Sequence, residues 1–288
     1  MPVSRRVDRL AEPEIKAVLD LASEAEAADG VYPLSEDAVL RVRNGGGVTL
    51  LSFSQDRLDG VAQVEDGSGE LVVHPAYRRR GVGTALLHEI PGQLSLWAHG
   101  DSAAARAFGE KNGLARERVL FQMRRPLGDD LPPSRLPEGV TVREFRPGHD
   151  EQAWLAVNAR AFAHHPEQGR WTERDLALRE AEPWFDPAGF LLAVDIEDTL
   201  LGFHWTKVHP ATAADPALGE IYVLGVDPGG HRRGLGSALS VAGLRHLRDQ
   251  GLSTAMLYVD EDNTAAVALY ERLGFAVHKT DVMYQRNG

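Results

Sequence analysis

The chain is 288 residues long, 43% hydrophobic and 25% charged, which suits about two soluble domains of ordinary composition. Its net charge of −11 argues against nucleic acid as the main partner, because phosphate binding needs a basic face, and with no cysteine it has no disulfide framework, thiolate nucleophile or Cys-ligated metal. The opening MPVSRRVDRLAEPEIK lacks an apolar h-region and no stretch approaches the ~18 apolar residues that cross a bilayer, so a cytoplasmic protein without membrane contact is expected.

In chain order the first predicted element is a helix over 12–28. A β-branched run, ELVVH, leads through Pro75 into YRRRGVG (77–83) and a helical pattern. A strand, LSLWA, then gives way to a polar turn and a helix that closes on Asn112-Gly113. RRPLGDDLPPSRLPEG (124–139) is proline-rich and reads as a linker over 126–138, dividing domains at 1–125 and 139–288. Beyond it VTVREF restarts a strand, and a helix over 150–162 takes Asp150 as its N-cap. Strands follow near 189–195, 200–208 and 219–226, then a helix over 235–249, a strand over 254–259, a helix over 263–273 and a strand pair over 275–285.

The two halves repeat. ELVVHPAYRRRGVGTALL (70–87) lies over VLGVDPGGHRRGLGSALS (223–240) without a gap at an offset of 153 (223 − 70 and 234 − 81). Downstream, LSLWAHGDSAAARAFGEKNGL lies over TAMLYVDEDNTAAVALYERLGF, with Gly113 over Gly274 at an offset of 161 (274 − 113). Repetition of a strand–turn–helix unit points to duplication, and each half is expected to be α/β, a mixed sheet flanked by helices.

A strand that feeds Arg-Arg-Gly-x-Gly and then a helix has a direct use. Glycine allows close approach of a ligand, and the first helical turn offers unpaired N–H groups and a positive dipole end to a phosphate. A plain tight connection with solvated arginines is the alternative for either copy alone. A dinucleotide turn would need a third glycine where Ala85 and Ala238 approach, and a P-loop would need Gly-Lys-Ser/Thr.

The pattern resembles the GNAT superfamily of acetyl-CoA-dependent acyltransferases, whose hallmark is Gln/Arg-x-x-Gly-x-Gly/Ala after a strand. Arg78–Gly81–Gly83 matches it, while His231–Gly234–Gly236 departs at the first position. Asn263 followed by a helix and Leu-Gly-Phe matches the other familiar signature. AFAHHPEQGRW, GEIYVLGVDPGGHRRGLG and MLYVDEDNTAAVALYERLGF resemble the mycothiol synthase family of tandem-GNAT enzymes, most strongly over 155–284. The chain is short for that family between Val208 and Glu220 and again before Met256. The resemblance implies two tandem GNAT domains, the first non-catalytic, and acetyl transfer from acetyl-CoA to the cysteinyl amine of a cysteine–glucosamine–inositol pseudodisaccharide, the last step of mycothiol biosynthesis.

Acetyl-CoA contacts are implied at Leu71, Val72 and Val73, and at Arg79, Arg80, Gly81, Val82, Gly83 and Thr84 in the first half. In the second half they are implied at Leu224, Gly225 and Val226; at His231, Arg232, Arg233, Gly234, Leu235, Gly236 and Ser237; and at Asn263, Thr264, Ala265, Ala266, Val267 and Ala268. Acceptor contacts are implied at Glu36, Glu167, Lys207, Glu220 and Tyr258; for Glu36 and Lys207 a solvated surface charge is the alternative.

Acetyl transfer to an amine needs the amine neutral. For an α-amine near pKa 8 that costs about 1.4 kcal/mol at pH 7, a task suited to one carboxylate acting directly or through water. Glu220, on the strand approaching the turn, is the expected base, and Tyr270, on the helix after Asn263, the expected donor to the leaving thiolate. An edge-strand charge and ordinary helix packing are the respective alternatives. The offsets place Gly67 over Glu220 and Gly109 over Tyr270, so catalysis is expected in the second half. The adjacent His164 and His165 read as turn residues, no metal is expected, and the protein is expected to act as a monomer. Other readings are acetylation of an aminoglycoside or a protein N-terminus, or a non-catalytic acetyl-CoA-binding module.

Overall fold

The computed structural model describes residues 3–165, 168–212, 215–230 and 234–286. The elements begin with β1 (Val3–Val7), α1 (Glu12–Asp29), α2 (Glu36–Asn44), β2 (Val48–Ser54), β3 (Arg57–Glu65) and β4 (Ser68–Val73). They continue with α3 (Val82–His88), β5 (Leu94–Ala98), α4 (Ala103–Lys111), β6 (Ala115–Pro126), β7 (Thr141–Glu144), α5 (Glu151–Ala161) and α6 (Glu173–Glu180). The last are β8 (Phe190–Val194), β9 (Leu200–His209), β10 (Leu218–Val226), α7 (Leu235–Asp249), β11 (Thr254–Asp260), α8 (Thr264–Arg272) and β12 (Ala276–Arg286).

The chain forms two compact units. One holds Met1–Phe121 with Asp260–Asp262 and Lys279–Gly288; the other holds Gln122–Val259 and Asn263–His278. The first unit's sheet runs β1-β2-β3-β4-β5-β12, antiparallel except for the β4–β5 pair. Helix α1 starts with Pro13 in its first turn, stops at Gly30 in the left-handed region (φ 74°), and buries Val18, Leu21, Ala22 and Ala25 along one stripe. The 275–285 region forms one strand rather than the expected pair, because Val282–Arg286 pair along β5 and the chain has no turn between them.

The second unit's sheet runs β11-β10-β9-β8-β7, with β10–β11 parallel and the other pairs antiparallel. Strand β9 sorts its side chains by the period of two. Phe203 and Trp205 enter an aromatic core with Trp154 and Phe190, while His204 turns to the opposite face against α7. There the His204 ring donates from Nδ1 to the Leu239 carbonyl (2.7 Å), and burial pushes its pKa down to about 4, so it stays neutral. Asp150 occupies the N-cap of α5, as the sequence suggests, but its side chain makes no capping hydrogen bond. Its carboxylate instead takes the Arg143 guanidinium (2.7 and 2.9 Å) and the Arg146 N–H (2.7 Å), which satisfies it before the helix begins. Helices α2 and α6 are absent from the sequence reading; Ser35 and Thr172 cap them by accepting the N–H of Ala38 and Asp175. No helix among the described residues is long and apolar enough to cross a membrane.

Candidate active site

In both units a pair of parallel strands separates at the same place. In the second unit β10 stays paired with β9 as far as Val226, but its pairing with β11 covers Gly219–Ile221. In the first unit β4 stays paired with β3 as far as Val73, but its pairing with β5 covers Ser68–Glu70. Leu224–Val226 and Leu71–Val73 therefore lie beyond the parallel pairing, where an extended ligand can add to the strand edge.

On its β9 side, β10 also carries a bulge. Ile221 pairs with Thr206 and Val223 with Trp205, so Tyr222 is the extra residue. The bulge corrects the internal alignment. The pairs Val73–Gly60 and Val226–Gly202 superimpose the C-terminal ends of β4 and β10, but β4 has no counterpart of Tyr222. Glu220 therefore falls over Ser68 rather than Gly67, and β5 agrees, since Ser68 pairs with Ser95 where Glu220 pairs with Met256. Ser68 brings no carboxylate either.

The two strands end in matching turns. Gly81 and Gly234 both take φ 87° immediately before their helices, a left-handed angle that costs a side chain about 1 kcal/mol or more. Among the described residues nothing lies within 4 Å of the position a Cβ would take at either glycine, so the backbone angle is what asks for glycine. Gly83 sits close to Phe108, Val73 and Leu71, whereas among the described residues Gly236 has only Val226 nearby, at 3.7 Å from a notional Cβ. Arg79 and Arg80 are exposed; Arg78 is bound bidentately by Asp29 at 2.7 Å and donates to the Val73 carbonyl. His231, Arg232 and Arg233, like Glu167, lie outside the described residues. Leu235 is buried at the start of α7, with Ser237 exposed two residues on. Asn263 caps α8 by accepting the Ala266 N–H at 3.2 Å, with Thr264 and Ala265 exposed and Ala266, Val267 and Ala268 half-buried.

Glu220 is buried, 6% exposed, on β10 just before the strands diverge. Its Oε2 lies 2.6 Å from His209 Nε2, and because a carboxylate only accepts, the imidazole donates. Lys207 stands opposite Glu220 in the β9–β10 register and is buried too, its Nζ over the rings of Trp184 (4.4 Å) and Tyr222 (5.1 Å). Lys207 is therefore no loose surface charge. Tyr258 follows the last β10–β11 pair and accepts a hydrogen bond from Gln122 at 2.8 Å. Tyr270 is buried on α8 against Phe275, and burial pushes its phenol up to about 12, so it stays protonated at neutral pH. Gly109 at the matching place in α4 is closed off: a Cβ there would lie 2.9 Å from the Tyr284 ring. Glu36 is half-buried in the first turn of α2, in the first unit.

Sequence reasoning missed His209, the Tyr222 bulge and Arg179, which donates to the Tyr222 hydroxyl at 2.7 Å. A signal for His209 existed: Phe203, Trp205, Lys207 and His209 alternate along one strand and share a face. Among the described residues no cluster of three or more His, Asp or Glu side chains could hold a metal.

Diverging parallel strands, a glycine turn and a helix on the cofactor side, with a buried carboxylate on the approach strand, define the class of GNAT acetyltransferases. The profile of the acetyltransferase (GNAT) family matches residues 154–275. The chain is 56% identical over 303 residues to the mycothiol acetyltransferase of Geodermatophilus obscurus, covering 99% of this chain and 98% of that one. It is 55% identical over 289 residues to the mycothiol acetyltransferase of Thermomonospora curvata, with 96% and 95% covered. It superimposes on a tandem GNAT protein from the clavulanic acid biosynthesis pathway with a TM-score of 0.72 at 19% identity, over 99% of this chain and 98% of the other. The chain belongs to the mycothiol acetyltransferase family and is an acyltransferase built from two GNAT domains.

Proposed function

We propose that this protein moves the acetyl group of acetyl-CoA to the cysteinyl amine of the cysteine–glucosamine–inositol pseudodisaccharide, completing mycothiol, and that the second unit does the chemistry. The carrying observation is the buried Glu220 at the mouth of the β10–β11 opening, in a chain more than half identical to proteins named for that activity. The first unit keeps the turn but has Ser68 and Gly109 where the second has Glu220 and Tyr270.

In this reading the pyrophosphate rests on the N–H groups following Gly234, and the pantetheine arm pairs with Leu224–Val226, one of whose N–H groups polarises the acetyl carbonyl. Glu220 takes a proton from the amine as nitrogen bonds to the carbonyl carbon. The C–S bond then breaks, and Tyr270 gives its proton to the sulfur. Within the second unit Lys207 and Tyr258, with Glu167 as the family resemblance implies, hold the acceptor, whose hydroxyls and ammonium suit polar and acidic partners. Purified protein with acetyl-CoA and a panel of amines, followed by thiol release, tests the reading. The pseudodisaccharide should be turned over fastest; an aminoglycoside or peptide N-terminus taken in its place would overturn it.

A further inference from the structure

Resting on that reading of the second unit, the proton balance of amide formation leaves one task unassigned. An α-amine near pKa 8 reaches the site at pH 7 about nine-tenths as ammonium. Nitrogen must then lose two protons, one to become a nucleophile and one as the amide forms. The CoA sulfur consumes only one of them. The other must leave for solvent in every turnover.

Glu220 is poorly placed to do this alone, since it is buried. Lys207, its cross-strand neighbour, can accept no proton as an ammonium. The Tyr222 hydroxyl already accepts from Arg179, a guanidinium that keeps its protons. His209 differs from both. It is the last residue of β9, its ring touches Glu220 at 2.6 Å, and its side chain is one-third exposed. Donation to the carboxylate fixes the proton on Nε2, which leaves the lone pair on Nδ1.

We infer that His209 is the proton-handling partner of Glu220. Held in that tautomer, its Nδ1 takes up, through water, the proton that the bound ammonium sheds before attack, and releases it to solvent. Glu220 takes the second proton as the amide forms. That proton restores the Tyr270 phenol once the phenol has given its own to sulfur. The sum is one ammonium and one thioester in, and one amide, one thiol and one solvent proton out. The imidazole acts through water and through Glu220, so it is a positioning residue. Its ionisable neighbours are Glu220 on β10, which it touches, and Lys207, two residues back on the same face of β9.

The test compares His209→Gln with wild type across pH, using whichever amine the wild type acetylates best and checking folding by thermal melting. Glutamine can still donate to Glu220 but cannot carry a proton. At pH 7 kcat/KM for the amine should fall about tenfold, with KM for acetyl-CoA unchanged, and the deficit should close as pH passes the pKa of that amine. His209→Ala should regain turnover when imidazole is added. A wild-type rate for His209→Gln at pH 7 would overturn the inference by showing that donation to Glu220 suffices. So would a deficit independent of pH. A wrong acceptor shows itself differently: the deficit then closes at the pKa of another amine. Without turnover, the His209 ring-nitrogen resonances at one fixed pH should differ between wild type and Glu220→Gln, because the 2.6 Å contact to the carboxylate is altered; identical resonances also overturn the pairing.

Discussion

Glu220→Gln keeps the shape of the side chain and removes its basicity. Turnover should drop most at neutral pH, by about 100-fold if general-base catalysis is lost, and recover partially above the amine pKa. A pH–rate profile parallel to wild type would mean that Glu220 only positions the acceptor. Tyr270→Phe removes one buried hydroxyl and keeps the ring contact with Phe275. Because the phenol matters only as thiolate departs, kcat should fall at least tenfold while acetyl-CoA affinity, read by calorimetry, stays within about twofold. Sequence position alone made both residues legible as candidates. Their burial and the His209 contact were not legible, since burial depends on which strands pack beside them.

At the level of elements, the α7–β9 contact is set by one absent side chain. A Cβ on Gly243 would lie 2.0 Å from the His204 ring, which its hydrogen bond to Leu239 holds in place. Gly243→Ala gains about 1 kcal/mol of helix propensity but overpacks a site that cannot yield. A net loss of about 2 kcal/mol is expected in denaturant unfolding of the second unit. Adding His204→Val should return most of it; independent, additive effects would refute the steric account. The sequence shows the α7 pattern clearly and its bounds match. The Tyr222 bulge is different, because a bulge is a mismatch between two strands and one strand read alone holds no trace of it.

For the molecule as a whole, the first unit carries a buried ionisable chain of its own. His99 Nδ1 donates to Asp281 at 2.9 Å, which β12 supplies, and Nε2 lies 3.7 Å from Glu70 on β4. Burial opposes charge on His99, but the Asp281 hydrogen bond and the two carboxylates outweigh it and raise its pKa to about 9. The imidazolium is thus favoured in the folded state. Its contribution, about 3 kcal/mol, should be complete below pH 6.5 and disappear as pH rises through about 9. Thermal melting should show the wild type losing stability over that window, with a flatter dependence for His99→Gln. Equal slopes would show that His99 carries no such linkage.

By itself the sequence determined the local elements, the duplication and the two glycine turns, because hydrophobic period, β-branching and glycine act over a few residues. It also exposed Glu220 and Tyr270 as side chains that the first half does not repeat. Tertiary structure alone decided the rest. It set Ser68, not Gly67, over Glu220, since register belongs to a pair of strands. It brought Asp281 to His99 through a strand 182 residues away in the chain. And it set an imidazole against the buried base, because two adjacent antiparallel strands place His209 and Glu220 diagonally on one face although neither position alone predicts the other.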